Sequence, residues 1–139
     1  MTHAFAEIAF TPRVKAAQQR DGSRAGYARN FEGDGEPSND RLGPDEVDFL
    51  ARLRSFYMAT VSETGWPYAQ HRGGPRGFLK VVDERTLAFA DYSGNRQYIS
   101  VGNLAADARA ALILLDYPQR TRLKLYAHVE TVAPDADAA

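Results

Sequence analysis

The 139-residue chain contains no cysteine, which excludes disulfides, zinc–thiolate sites and thiol nucleophiles together and fits a reducing, cytoplasmic setting. An excess of one charge is also missing. Seventeen Lys and Arg stand against 18 Asp and Glu, so no basic field points to nucleic acid or to an anionic membrane surface. No apolar run approaches the roughly 20 residues that span a bilayer. The start, MTHAFAEIAFTPRVK, has no basic segment followed by a long apolar stretch, and no signal peptide is read there. His3, His71 and His128 show no H-x-x-x-H spacing, so no metal site is expected. Nucleophile elbow, Walker A loop and G-x-G-x-x-G fingerprint are all absent, and the glycine-rich HRGGPRG lacks the Lys-Ser/Thr ending of a phosphate loop. A nucleophile or general base has no visible owner; in an enzyme of this sequence, a cofactor would carry the chemistry.

What is present divides at about residue 44. Residues 1–44 are polar and interrupted. TPRVKAAQQR reads as a short helix with Thr11 as cap and Pro12 in the first turn, and residues 21–43 read as loop or extended arm. Phe5, Ile8, Phe10, Tyr27 and Phe31 exceed the apolar content of an ordinary disordered linker. A free tail, packing on the body and packing on a second subunit therefore all stay open. Residues 133–139 form a C-terminal tail.

Residues 45–132 read as one domain. GPDEVDFLARLRS opens a helix with Pro44 at the first turn and Asp45 and Glu46 at the positive end of the dipole. FYMATVS (56–62) and WPYAQHR (66–72) flank a hairpin loop, Glu63-Thr64-Gly65, with glycine where positive φ is required. GFLKVVD (77–83) and TLAFA (86–90) flank the turn Glu84-Arg85. RAALILLD (109–116) is nearly all apolar, and Thr121 to Val132 alternates Leu123, Leu125 and Ala127 against Arg122, Lys124 and Tyr126. Six strands with short connections predict an antiparallel barrel or sandwich. The period-2 positions Leu79, Val81, Leu87, Phe89, Leu112, Leu114, Leu123 and Leu125 are the expected inward set.

LAFADYSGNRQYISVGNL (87–104) starts as a strand, breaks at Gly94 and continues as a helix over 95–105. Asn95, Arg96 and Gln97 stand at the break, where free N–H groups and the helix dipole favour an anion. An ordinary strand-to-helix turn with a solvated arginine is the alternative.

The order of these segments, FYMATVSETGWPYAQHRGG, GFLKVVD, LAFADYSGNRQYISVGNLAADARAALILLDYP and RLKLYAHVETV, resembles the pyridoxamine 5'-phosphate oxidase-like, FMN-binding split-barrel family over roughly residues 45–132. The likeness is to the oxidase-related branch rather than to the biosynthetic oxidase. It implies a mainly β fold with a few helices, a split antiparallel β-barrel, FMN as cofactor and a homodimer completing the flavin site. In that family a lysine ending (R)xxLLK and an arginine in a G-S-R-K turn hold the flavin phosphate. GFLK and GNRQ map those roles onto Lys80 and Arg96. Main-chain contacts to the flavin then fall on Gly77, Phe78, Leu79, Asp91 and Tyr92. Asn95 stands where a phosphate-binding serine is common, and Gln97 replaces a frequent lysine, removing one positive charge. Pro75 falls at the family's first arginine. Arg72 is preferred to Arg76 as its substitute because it closes a strand. Arg122 and Lys124 are candidates to reach the other subunit's cofactor.

The chain stops at APDADAA, without the C-terminal segment that carries the biosynthetic oxidase's substrate-binding arginine and histidine. Either the sequence is a truncated form or that activity is not expected. The resemblance thus implies an FMN-dependent oxidoreductase of unknown small-molecule substrate. The alternatives are a non-catalytic flavin-binding or assembly module, or a relative using deazaflavin or haem.

Overall fold

The computed structural model describes residues 3–90 and 97–133. The chain divides into two units, residues 1–44 with 82–86, and residues 45–81 with 87–139.

In the first unit, the His3 imidazole Nδ1 accepts from Ala6 N–H and caps α1 (Ala4–Ala9). Thr11 accepts from Val14 N–H at 3.3 Å and Pro12 opens α2 (Pro12–Asp21), as its sequence predicts. A third helix, α3 (Arg24–Phe31), occupies part of the stretch expected to be loop or extended arm. The cause is packing between distant residues. The Tyr27 and Phe31 rings stack at 5.6 Å, Phe10 meets both edge-on, and the Arg24 guanidinium lies 5.7 Å from the Phe10 ring centre while pairing with Glu32 at 2.6 Å. Aromatic surface gained by folding offsets a locally weak helix that contains Gly26. Beyond α3, Ala4 N–H bonds to Ser38 O, Leu42 N–H bonds to Glu84 O, and Arg85 pairs with Asp40 at 2.9 Å.

The second unit begins with α4 (Pro44–Ala51), whose Leu50 is fully buried. Four strands then form one antiparallel sheet in the order β2-β1-β5-β6: β1 (Ser55–Val61), β2 (Pro67–Gly73), β5 (Arg109–Asp116) and β6 (Thr121–His128). The hairpin β3 (Lys80–Asp83) and β4 (Thr86–Ala88) is a separate two-stranded sheet. All six expected strands are present. Ser62 and Trp66 close the β1–β2 loop and Gly65 takes φ 86°, the conformation its position requires. A closed barrel is not what the described strands form: they make an open sheet and a hairpin, an arrangement compatible with a split barrel.

One face of the four-stranded sheet is the core. Phe56, Met58 and Thr60 of β1 are buried beside Ala110, Leu112 and Leu114 of β5. Of the expected inward set, Leu79, Leu112 and Leu114 are buried, while Val81, Leu87, Phe89, Leu123 and Leu125 are half-buried. α5 (Ile99–Ala106) begins four residues later than the helix read from 95, after Gln97 and a left-handed Tyr98. Its Asn103 donates to Thr60 Oγ1 at 3.0 Å, so two buried polar groups satisfy each other. Among the described residues, no helix is long and apolar enough to cross a membrane.

Candidate functional site

The stretch between β2 and β3 is fastened from below by backbone bonds. Gly74 N–H donates to Arg54 O and Gly77 N–H to Leu53 O, both just after α4, and Phe78 N–H closes a turn onto Pro75 O. Two glycines make this possible. Gly77 adopts φ 75°, which a side chain would strain, and a Cβ on Gly74 would stand 2.7 Å from the Phe78 ring. With its backbone held, the stretch turns Phe78 and Leu79 into the core and leaves Arg76 and Lys80 outside.

Those residues and the end of β4 enclose an open groove of about 350 Å³, lined by Pro75, Arg76, Gly77, Phe78, Lys80 and residues 88–90. Its volume lies in the range of small-molecule sites. Beneath it Phe56 stacks on Phe78 at 5.9 Å and meets Phe89 edge-on at 5.1 Å, so the two aromatic lining residues share one buried support. Neither the Arg76 guanidinium nor the Lys80 ammonium forms an ion pair among the described residues. Two cations without an ion-pair partner among the described residues, set on an aromatic groove, suit a ligand with a flat ring and an anionic end. Among the described residues, the lining contains no carboxylate, histidine or hydroxyl.

The residues singled out from sequence separate into several groups. Gly77, Phe78 and Lys80 come together on the groove, with Leu79 buried directly behind them. Arg72 projects from the inner face of β2, where its Nη2 donates to Gln70 Oε1 at 3.2 Å and its guanidinium lies 5.7 Å from the Phe89 ring centre. It stands beside the groove's wall, whereas Arg76 stands on the groove itself. Gln97 is exposed just before α5. Arg122 lines a different cavity, about 500 Å³, at the β5–β6 turn with Asp116, Tyr117 and Arg120. Lys124 lies opposite Ile113 on the outer face of the sheet. Asp91, Tyr92, Asn95 and Arg96 fall outside the described residues. Phe89, Ala88 and Ala90 were missed as lining residues, since their sequence pattern reads only as strand.

At the second cavity the exposed Tyr117 phenol is pushed above its ordinary range by the neighbouring Tyr57, chiefly electrostatically, with a slight loss of solvation and their hydrogen bond adding to it. Asp116 is committed to Arg52, at 3.2 Å. Among the described residues, no three histidines or carboxylates gather as a metal-binding group.

Comparison with known proteins bears on this arrangement. No protein of curated function matches the chain. A solved structure from Lactobacillus delbrueckii, of a protein provisionally assigned as a pyridoxamine 5'-phosphate oxidase, superposes with a TM-score of 0.50 at 23% identity, covering 66% of this chain and 69% of the other. That likeness concerns the fold. The family model described as pyridoxamine 5'-phosphate oxidase matches residues 42–139, which include the whole four-stranded sheet, the hairpin and the groove. The chain belongs to the pyridoxamine 5'-phosphate oxidase family.

Proposed function

We propose that the protein is an FMN-binding flavoprotein and acts as an FMN-dependent oxidoreductase on a small molecule. Family membership supports flavin-binding, oxidoreductase-type function in general terms. The observation that carries the finer reading is the groove with Arg76 and Lys80, two cations without ion-pair partners among the described residues, over the Phe78 and Phe89 rings. Its donor set fits FMN. The cations would hold the dianionic phosphate, the aromatic residues and alanines would flank the ring system, and the main chain at Gly77 would permit close approach. Arg96 would add a third cation from the stretch before α5, with Asn95, Asp91 and Tyr92 as backbone or amide contacts. When bound, the flavin supplies hydride or electron transfer through its ring. Among the described residues the lining holds no acid or base, and what those residues would contribute is binding, orientation and exclusion of water.

The same reading makes the protein a homodimer. Support comes from the sheet's outer face, where register aligns Tyr57, Ala59, Ala111, Ile113 and Tyr126, with Tyr57 39% and Tyr126 44% exposed. Arg122 and Lys124 lie on that face and would reach towards the other subunit's site. Light scattering should give twice the 15.4 kDa chain mass; a monomer at micromolar concentration would remove this part.

Titration of FMN and riboflavin by flavin fluorescence tests the cofactor. A charge-assisted contact to phosphate contributes about 1.5–3 kcal/mol, so Lys80→Ala, Arg76→Ala or Arg96→Ala should each weaken FMN roughly ten- to a hundredfold. Riboflavin, which lacks the phosphate, should lose little. Equal losses for the two ligands would show that these residues hold no phosphate. A non-catalytic flavin carrier is the alternative reading. NAD(P)H-driven bleaching of the bound flavin separates the two, since a carrier would keep its colour.

A further inference from the structure

The groove's aromatic wall is reached from inside the sheet by a chain of polar contacts. Ser100, in the first turn of α5 and 2% exposed, donates from Oγ to Gln70 Oε1 at 2.7 Å. The same oxygen accepts from Arg72 Nη2 at 3.2 Å. Arg72 in turn places its guanidinium 5.7 Å from the centre of the Phe89 ring, within the range of a cation–π contact. Gln70 and Arg72 alternate on β2 with residues of the outer face, and both project to the side where Phe56 and Met58 are buried. Among the described residues, Phe89 is supported by Phe56 edge-on and by the Arg72 guanidinium.

We infer that Gln70 and Arg72 are positioning residues for the ring-binding wall of the groove: Gln70, anchored by Ser100 on α5, fixes the Arg72 guanidinium against Phe89. The argument is geometric. An arginine side chain has several rotatable bonds, and a ring contact at this distance constrains it weakly by itself. A hydrogen bond from its terminal nitrogen to an amide oxygen that is itself held from the other side narrows the positions open to it. The ring then presents a defined surface to a planar aromatic ligand, and its orientation depends on where α5 stands. This inference rests on the groove being the flavin-ring site. It does not concern the phosphate, which belongs to Lys80 and Arg76.

Two readouts on the full chain test it. The first needs no ligand: NMR of ring-labelled phenylalanine follows the Phe89 resonances in wild type, Gln70→Leu, Ser100→Ala and Gln70→Glu. Gln70→Leu removes the acceptor and should move the Phe89 resonances. Ser100→Ala removes only the anchor and should move them less. Gln70→Glu keeps an oxygen for both donors and should restore the wild-type positions. The second readout is affinity. Gln70→Leu should weaken riboflavin and FMN by the same factor, roughly three- to tenfold, in contrast to Lys80→Ala, which acts on FMN alone. Phe89 resonances unmoved in folded Gln70→Leu would overturn the inference, and so would equal displacement by Gln70→Glu. If wild type binds neither flavin, the cofactor reading fails while the ring resonances still decide whether Gln70 positions the wall.

Discussion

The two units of the chain are held in different ways. The sheet unit buries Leu50, Leu53, Phe56, Met58, Phe78, Leu79, Leu112 and Leu114 almost completely, whereas Ala6 alone is buried to that degree among the apolar residues described in the helical unit. In place of a core, the helical unit has a surface cluster of aromatic rings, two capped helices and exposed ion pairs such as Lys15–Glu32 and Arg20–Asp21. Apolar burial contributes about 25 cal/mol per Å², while exposed ion pairs contribute about 0–1 kcal/mol each. Stability should therefore concentrate in the sheet unit, which also carries the groove.

The largest effect should come from the core. Phe56→Ala removes a ring that is 1% exposed and supports both Phe78 and Phe89. It should cost about 3–5 kcal/mol, measured by urea denaturation, and should weaken riboflavin as well as FMN. A loss under 1 kcal/mol would mean that the sheet unit is not the stable one. Next, Phe31→Ala should lower hydrogen-exchange protection in α1–α3 by roughly 1–2 kcal/mol, through loss of its aromatic contacts. Amides of β1 and β5 should be unchanged. Protection lost equally in both units would erase the distinction between them.

The smallest effect concerns an exposed pair in the sheet unit. Hydrogen bonds from the Arg109 side chain and backbone hold the Asp107 carboxyl down at about 2. Because its folded value is depressed, the stabilisation is present above the unfolded value of about 3.9 and is lost as pH falls through about 2. A carboxyl titration by NMR should place the midpoint near 2. Arg109→Ala should return it towards the ordinary carboxylate range, with little change in stability at neutral pH.

Legibility in the sequence follows the same divide. β6 could be read because its alternation is uninterrupted, and the β1–β2 loop because Gly65 has one conformational reason to be there. α3 could not: RAGYARNF contains a glycine and no strong periodicity, and its helix rests on rings contributed from residue 10 as well as from itself. The start of α5 was read early because Asn95 and Arg96 look like helix-opening residues, whereas Tyr98, in the left-handed region, immediately precedes the helix. At the groove, Lys80 was legible through its motif. Arg72 and Arg76, four residues apart in one glycine-rich stretch, could not be told apart by spacing. The backbone bonds to Leu53 and Arg54 that orient this stretch come from residues some twenty positions away. Gln70 and Ser100 carry no motif at all, since their role exists only once α5 lies against β2.

The β3–β4 hairpin has a practical consequence for anyone cutting the gene. Its base, at Lys80 and Ala88, borders the groove, but its tip, 82–86, groups with residues 1–44. A fragment beginning at residue 45 would keep the tip and lose the Leu42 amide and the Asp40 carboxylate that bond to Glu84 and Arg85. The hairpin tip, with Val82 63% exposed, would then lack both of those contacts. Such a minimal domain should be prone to protease nicking at 82–86 and to self-association, so trimmed expression clones are best begun at the N-terminus or given a redesigned hairpin tip.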